Sequence, residues 1–174
     1  LGVILQDLGQ LDAAVKSFEE ALTIEPEFAE AYNNLGNALK ELGQLDTSVK
    51  SYKKVLAIKP DFAEAHSNLG TVLLETGDLA GAIRSCNRAI KINPEFAEAH
   101  CNLGNALQEN GDPRAAIESY NRALVIKPNF TMARSQRLRQ QAFICDWGAI
   151  KTDRNLISSL GVSTEFVTPF TMLY

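Results

Sequence analysis

The sequence is poor in the residues that most chemistry needs: 174 residues include three cysteines, two histidines and one tryptophan. Cys86, Cys101 and Cys145 are odd in number and too far apart for a CxxC or finger-type pattern. That argues against a disulfide framework or a zinc module and suits a reducing, cytoplasmic compartment. His66 and His100 stand too far apart to share a helix turn, so no metal pair is assigned. No uninterrupted apolar run reaches the about 20 residues of a spanning helix, which argues against a membrane role. Basic residues number 17 against 21 acidic ones with no basic stripe, a poor match to nucleic acid or an anionic lipid surface. No glycine-rich phosphate loop is found, and no base stands in phase with Cys101, so no catalytic or cofactor-binding residue is assigned.

What the chain does have is a period. Prolines recur at Pro26, Pro60, Pro94 and Pro128, always at the same interval. Two glycine series keep the same phase, Gly2, Gly36, Gly70, Gly104 and Gly9, Gly43, Gly77, Gly111, as do Ala31, Ala65, Ala99 and Ala133. The opening "LGVILQDLGQ" lacks a methionine and enters partway through a unit. The chain therefore reads as a piece of a longer protein whose cut first helix leaves an apolar edge, open to fraying and to pairing of two copies as a homo-oligomer.

Within each unit the pattern predicts two helices. Ala31, Leu35, Ala38 and Leu39 draw an apolar stripe along the first. Gly36 sits in that stripe although a mid-helix glycine costs about 1 kcal/mol against alanine. It marks a close helix approach, with Ala14, Ser48, Ala82 and Ala116 of the second helices as expected neighbours. Gly43 and its equivalents fall at the turn between helices, and a second apolar series follows, such as Leu45, Val49, Tyr52, Val55 and Leu56. Proline then ends each second helix, because it cannot continue the hydrogen-bond ladder. Glu27, Asp61, Glu95 and Asn129 follow it, expected to favour the next helix N-terminus by charge or capping. Phe28, Phe62, Phe96 and Phe130 come next and are expected to pack between consecutive units.

A 34-residue, two-helix unit with this punctuation resembles the tetratricopeptide repeat, most clearly over "AEAYNNLGNALKELGQLDTSVKSYKKVLAIKP". The resemblance covers residues 1 to 130 and implies an all-α, right-handed superhelical solenoid with C-terminal capping helices. It divides the chain into a partial unit 1–28, units 29–62, 63–96 and 97–130, capping and junction helices 131–160, and an extended stretch 161–174. First helices of this family line a concave wall where proteins or extended peptide segments bind. Asn34, Asn68 and Asn102 share one phase on that wall, with Asn37, Thr71 and Asn105 one turn further along. A primary amide offers donors and an acceptor together, so such a row suits sequence-tolerant capture of a peptide backbone. The other reading has these asparagines bonding to neighbouring helices or to each other and holding the superhelix together.

The wall has little positive charge. The chaperone-binding branch of the family clamps a peptide carboxylate with Lys and Arg. Here the matching positions hold Asn33, Ser67 and Cys101, then Lys40, Leu74 and Gln108, then the acidic set Asp7, Glu41, Glu75 and Glu109. Glu30, Glu64 and Glu98 add to a solvated acidic rim. His66 and His100 occupy the slot of Tyr32 and read as partly buried packing residues.

Beyond Phe130 the composition loses the period. Leu138 replaces the glycine, and Arg134, Arg137 and Arg139 crowd one short helix that is expected to cap the last unit. Asp146 is placed to cap a further helix bearing Trp147, Ile150, Ile157 and Leu160, ended by Gly161. Cys145, Asp146 and Trp147, then Pro169 with Met172, Leu173 and Tyr174, resemble the junction between repeats and catalytic region in the O-linked N-acetylglucosamine transferases. That resemblance implies a parent enzyme using a UDP-GlcNAc donor to modify Ser or Thr of acceptor proteins, its repeats recruiting those proteins. Thr168, Phe170 and Thr171 stand where some members carry histidines beside the proline, so no catalytic residue is carried over. A stand-alone repeat scaffold is the alternative.

Overall fold

A computed structural model describes residues 1–146 and Gly148. The expected helix over Trp147 to Leu160 and the extended stretch 161–174 lie outside the described residues. Within them the chain is helical throughout. Helices α1 (Gly2–Asp7) and α2 (Leu11–Ile24) form the first pair, α3 (Ala29–Glu41) and α4 (Leu45–Ile58) the second. Helices α5 (Ala63–Glu75) and α6 (Leu79–Ile92), then α7 (Ala97–Glu109) and α8 (Pro113–Ile126), repeat the arrangement, and α9 (Thr131–Phe143) follows.

The turn inside each pair is made by glycine for a backbone reason. Gly9, Gly43, Gly77 and Gly111 have φ of 72°, 74°, 84° and 80°, the left-handed region where a Cβ is penalised. With Gly43 there, its N–H reaches Lys40 O at 2.9 Å and the Gln44 N–H reaches Leu39 O at 2.8 Å, which satisfies two helix-end carbonyls. The same geometry recurs after α9, beyond the point where the composition loses its period. Cys145, one full repeat past Gly111, sits at φ 58° while its N–H meets Ala142 O at 3.1 Å and the Asp146 N–H meets Gln141 O at 2.8 Å. A side chain in this conformation costs about 1–2 kcal/mol, so Cys145→Gly is expected to stabilise the end of α9 by about 1 kcal/mol. Hydrogen exchange of the Cys145 and Asp146 amides would slow correspondingly, and unchanged or faster exchange would count against the assignment.

Helix starts differ from expectation. Phe28, Phe62, Phe96 and Phe130 are the residues that flank the first helices, and none of those N-termini receives a side-chain cap. Asp61, expected near such an N-terminus, instead pairs with Arg88 of the following unit at 2.7 Å. Side-chain caps occur at second helices: Asp78 Oδ1 accepts from the Gly81 N–H at 2.8 Å and Asp112 Oδ1 from the Ala115 N–H at 3.0 Å.

Packing corrects the sequence reading of the mid-helix glycines. A Cβ at Gly36 would lie 2.7 Å from the Tyr52 ring, one at Gly2 2.5 Å from Phe18, and one at Gly104 would overlap the Tyr120 ring. The glycine thus opens a slot for an aromatic knob of its own unit, rather than for the small residues one turn earlier. Those residues are buried beside it, and Ser48 bonds the Gly36 carbonyl through its hydroxyl at 2.7 Å. Only in the third unit is the knob small, Cys86, and there the Ala82 carbonyl comes within 3.3 Å of the Gly70 Cβ position. Between units, Phe62 packs with Ala29, Val55 and Ala65, and Phe130 with Tyr120, Leu124 and Ala133. The last cluster seats α9 on α7 and α8 in the place of a further first helix.

Candidate functional site

Two kinds of helix make two walls. α3 touches α5, α5 touches α7 and α7 touches α9, whereas α4, α6 and α8 make no comparable contact with one another. The first helices are therefore the crowded, inner side of the curve. Asn34, Asn68 and Asn102 lie on them and are each half-buried, as are Asn37, Thr71 and Asn105.

The amides are not independent. Asn68 donates through Nδ2 to Asn33 Oδ1 at 3.4 Å and to Asn37 Oδ1 at 3.2 Å, both in the preceding unit. Asn102 donates to Ser67 Oγ at 3.0 Å, again the residue 35 places back. For Asn34 that place precedes Leu1, and its side chain lines an open depression with Leu1, Val3, Phe18 and Phe28. Asn33 itself is buried and donates to Glu64 Oε1 at 2.9 Å. Asn33, Ser67 and Cys101, read from sequence as wall positions, are thus buried, each against the unit that follows. Within the described residues no bond uses Asn68 Oδ1, Asn102 Oδ1 or the amino groups of Asn37 and Asn105. The row holds its neighbours with part of its hydrogen-bonding capacity and keeps the remainder.

Asn37 and Asn105 also serve the packing. The Tyr52 hydroxyl donates to Asn37 Oδ1 at 2.7 Å and the Tyr120 hydroxyl to Asn105 Oδ1 at 2.9 Å. Both rings are fully buried, where an unpaired hydroxyl would be penalised, and burial pushes both phenols up beyond the usual tyrosine range. Units without the hydroxyl lack the amide. Phe18 is matched by Val3, and Cys86 by Thr71, whose hydroxyl turns back to Ser67 O at 3.3 Å.

The carboxylates of the rim are partly engaged. Lys59 bonds Glu30 and also lies over the Phe62 ring, while Lys127 bonds Glu98 at 2.8 Å and lies over Phe130. The hydrogen bond from Lys127 holds the Glu98 carboxyl below the usual range, and Lys59 does the same for Glu30. A depressed folded pKa gives stability that is present above the unfolded value and lost as pH falls through the folded one. With half the pair in solvent, Glu98→Gln is expected to lower stability by less than about 1 kcal/mol at pH 7. Thermal melts of both proteins should converge as pH falls below the ordinary glutamate range and through the depressed value, and a gap that widens in acid would contradict the pairing. Glu41 accepts from Gln6 at 2.7 Å. Burial raises the Cys86 thiol to about 12 and the Cys101 thiol to about 11, the latter aided by Glu98, so neither is a nucleophile near neutral pH.

Models of the TPR repeat match residues 2–43, 36–77 and 70–111, and a tetratricopeptide repeat model matches 97–130. The chain belongs to the tetratricopeptide repeat family. Its TPR units form an all-α superhelical solenoid of a kind that mediates protein–protein interaction. The crystal structure of MamA is 25% identical over 87% of this chain and 86% of its own, with a TM-score of 0.74. A thermophilic TPR protein of Thermus thermophilus is 26% identical over 83% of this chain and 79% of its own, with a TM-score of 0.72. An O-GlcNAc transferase mutant of Thermobaculum terrenum is 29% identical over 65% of this chain but 22% of its own, with a TM-score of 0.63. No curated protein matches the chain.

Several TPR positions with a definite task carry no motif. His66 and His100 bond Pro60 O at 2.9 Å and Pro94 O at 3.0 Å through Nε2, and Arg134 bonds Pro128 O at 2.6 Å from the same slot. They tie the loop between units to the helix that follows it. The shared spacing of six residues from each proline was the available signal. Arg137 bonds Asn121 Oδ1 at 2.6 Å, so at least two of the arginines crowding α9 join it to the array.

Proposed function

We propose that these TPR units hold extended segments of acceptor proteins for a glycosyltransferase of the O-GlcNAc transferase type. In this reading Asn34, Asn68 and Asn102 meet the peptide backbone, with Asn37, Thr71 and Asn105 beside them, and the UDP-GlcNAc donor belongs to the catalytic part of the parent protein in the cytoplasm. The observation that carries it is the row of in-phase amides on the inner wall, which retains unused donors and acceptors after bonding between units. The similarity to the Thermobaculum transferase supports the enzymatic context.

Replacing Asn34, Asn68 and Asn102 together by alanine is expected to weaken binding of an extended Ser/Thr-rich peptide by about tenfold or more, at about 0.5–1.5 kcal/mol per lost hydrogen bond. Isothermal titration measures this, with a thermal melt confirming that the triple variant stays folded. Unchanged affinity in a folded variant would end the proposal. A second reading, a stand-alone scaffold, is favoured by the MamA and Thermus structures, which match over 86% and 79% of their own lengths. Reading the gene past Tyr174 separates the two: a stop codon supports the scaffold, and several hundred α/β residues support the transferase.

A further inference from the structure

We infer that Tyr52 and Tyr120 are positioning residues: each turns an asparagine of the wall so that its amino group, and not its oxygen, is offered to a bound chain. The inference rests on the reading of the wall as a peptide groove and adds which backbone atoms that groove takes.

An asparagine free to rotate presents either end of its amide. Asn37 and Asn105 are not free, because the tyrosine hydroxyls occupy their oxygens. Those hydroxyls cannot retreat, since each ring is fully buried and fills the slot that Gly36 or Gly104 leaves. At Asn37 the Nδ2 group of Asn68 presses on the same oxygen at 3.2 Å. At Asn37 the two donors fill the oxygen and leave a pair of N–H groups, which suits a peptide carbonyl and rejects a peptide N–H, while at Asn105 the hydroxyl takes one lone pair and leaves both N–H groups outward.

The third unit lacks this device. Cys86 offers no hydroxyl, and Thr71 spends its own donor on Ser67 O, so no oriented donor stands there. Fixed donors therefore recur in the second and fourth units only. Helices packed about 8–10 Å apart put the two donors about 16–20 Å apart. An extended chain rising about 3.3 Å per residue covers that distance in about five or six residues. The preferred partner is an extended segment that turns backbone carbonyls to the wall at that interval, with little demand on side chains.

A graft tests the idea by gain. Thr71→Asn with Cys86→Tyr builds a third oriented donor, whereas Thr71→Asn alone supplies an amide with nothing to hold it. The probe is an unstructured Ser- and Thr-rich peptide of about 20 residues, long enough to span the array. The double graft is expected to tighten binding about fivefold and Thr71→Asn alone less than twofold, while Tyr52→Phe with Tyr120→Phe weakens it about tenfold. Equal gains from the single and double grafts, or unchanged affinity in the folded phenylalanine pair, would overturn the inference. If the native protein fails to bind the probe, the groove reading itself fails, and the orienting role is still read by NMR. The carboxamide carbon of Asn37 should move upfield in Tyr52→Phe as its oxygen loses a hydrogen bond; an unmoved resonance refutes the positioning.

Discussion

Tyr120→Ala is expected to be the most damaging truncation in the array, removing about 3–5 kcal/mol. The ring is fully buried and packs with Cys101, Ala116, Ala123 and Leu124 of its own unit and with Ala133 of α9, so its loss opens a cavity shared by two units. Its single hydroxyl hydrogen is donated to Asn105 Oδ1 at 2.9 Å, with Gln108 Oε1 sharing it at 3.3 Å, so truncation removes the donor from Asn105. Circular dichroism melting should show the midpoint falling by about 10 °C. Solenoid units contact only their neighbours, so hydrogen exchange should accelerate first in α7, α8 and α9 and least in α1 to α4. A shift under about 2 °C would mean that the ring does not pack as described.

Gly104→Ala carries the second large effect, and its sign is the informative part. In an ordinary helix interior this change gains about 1 kcal/mol. Here the added methyl would overlap the fully buried Tyr120 ring, and a net loss of about 2 kcal/mol is expected from overpacking. The two changes share one cause, so they should not add: once Tyr120 is alanine, Gly104→Ala should become neutral or stabilising. Chemical denaturation of the single and double variants measures this coupling, and simple additivity would show that ring and glycine are not in contact. Gly70→Ala differs, because the Ala82 carbonyl also stands 3.3 Å from the new methyl and backbone cannot rotate away. Cys86→Ala should relieve that variant only in part.

How far the sequence carried these conclusions depended on the range of the interaction involved. The tyrosine partners of Asn37 and Asn105 sit 15 residues away on another helix, and their hydroxyls break the symmetry of the repeat only where tyrosine occurs. The signal was present as the matched pairs Val3 with Phe18, Asn37 with Tyr52, Thr71 with Cys86 and Asn105 with Tyr120. It cannot be interpreted until the glycine slot shows that these pairs touch.

The helix pairs, the turns and the phase of the amide row were determined by sequence alone. Proline, glycine and the apolar stripe act over a few residues, through backbone torsion and helical spacing that need no knowledge of the neighbour. Tertiary structure decided which residue fills each glycine slot, that Asn33, Ser67 and Cys101 are buried, that Cys145 takes a glycine's place, and which end of each amide stays available. Those outcomes depend on how closely two helices approach and on what the facing side chain can donate, and a constant repeat period places residues in register without specifying either.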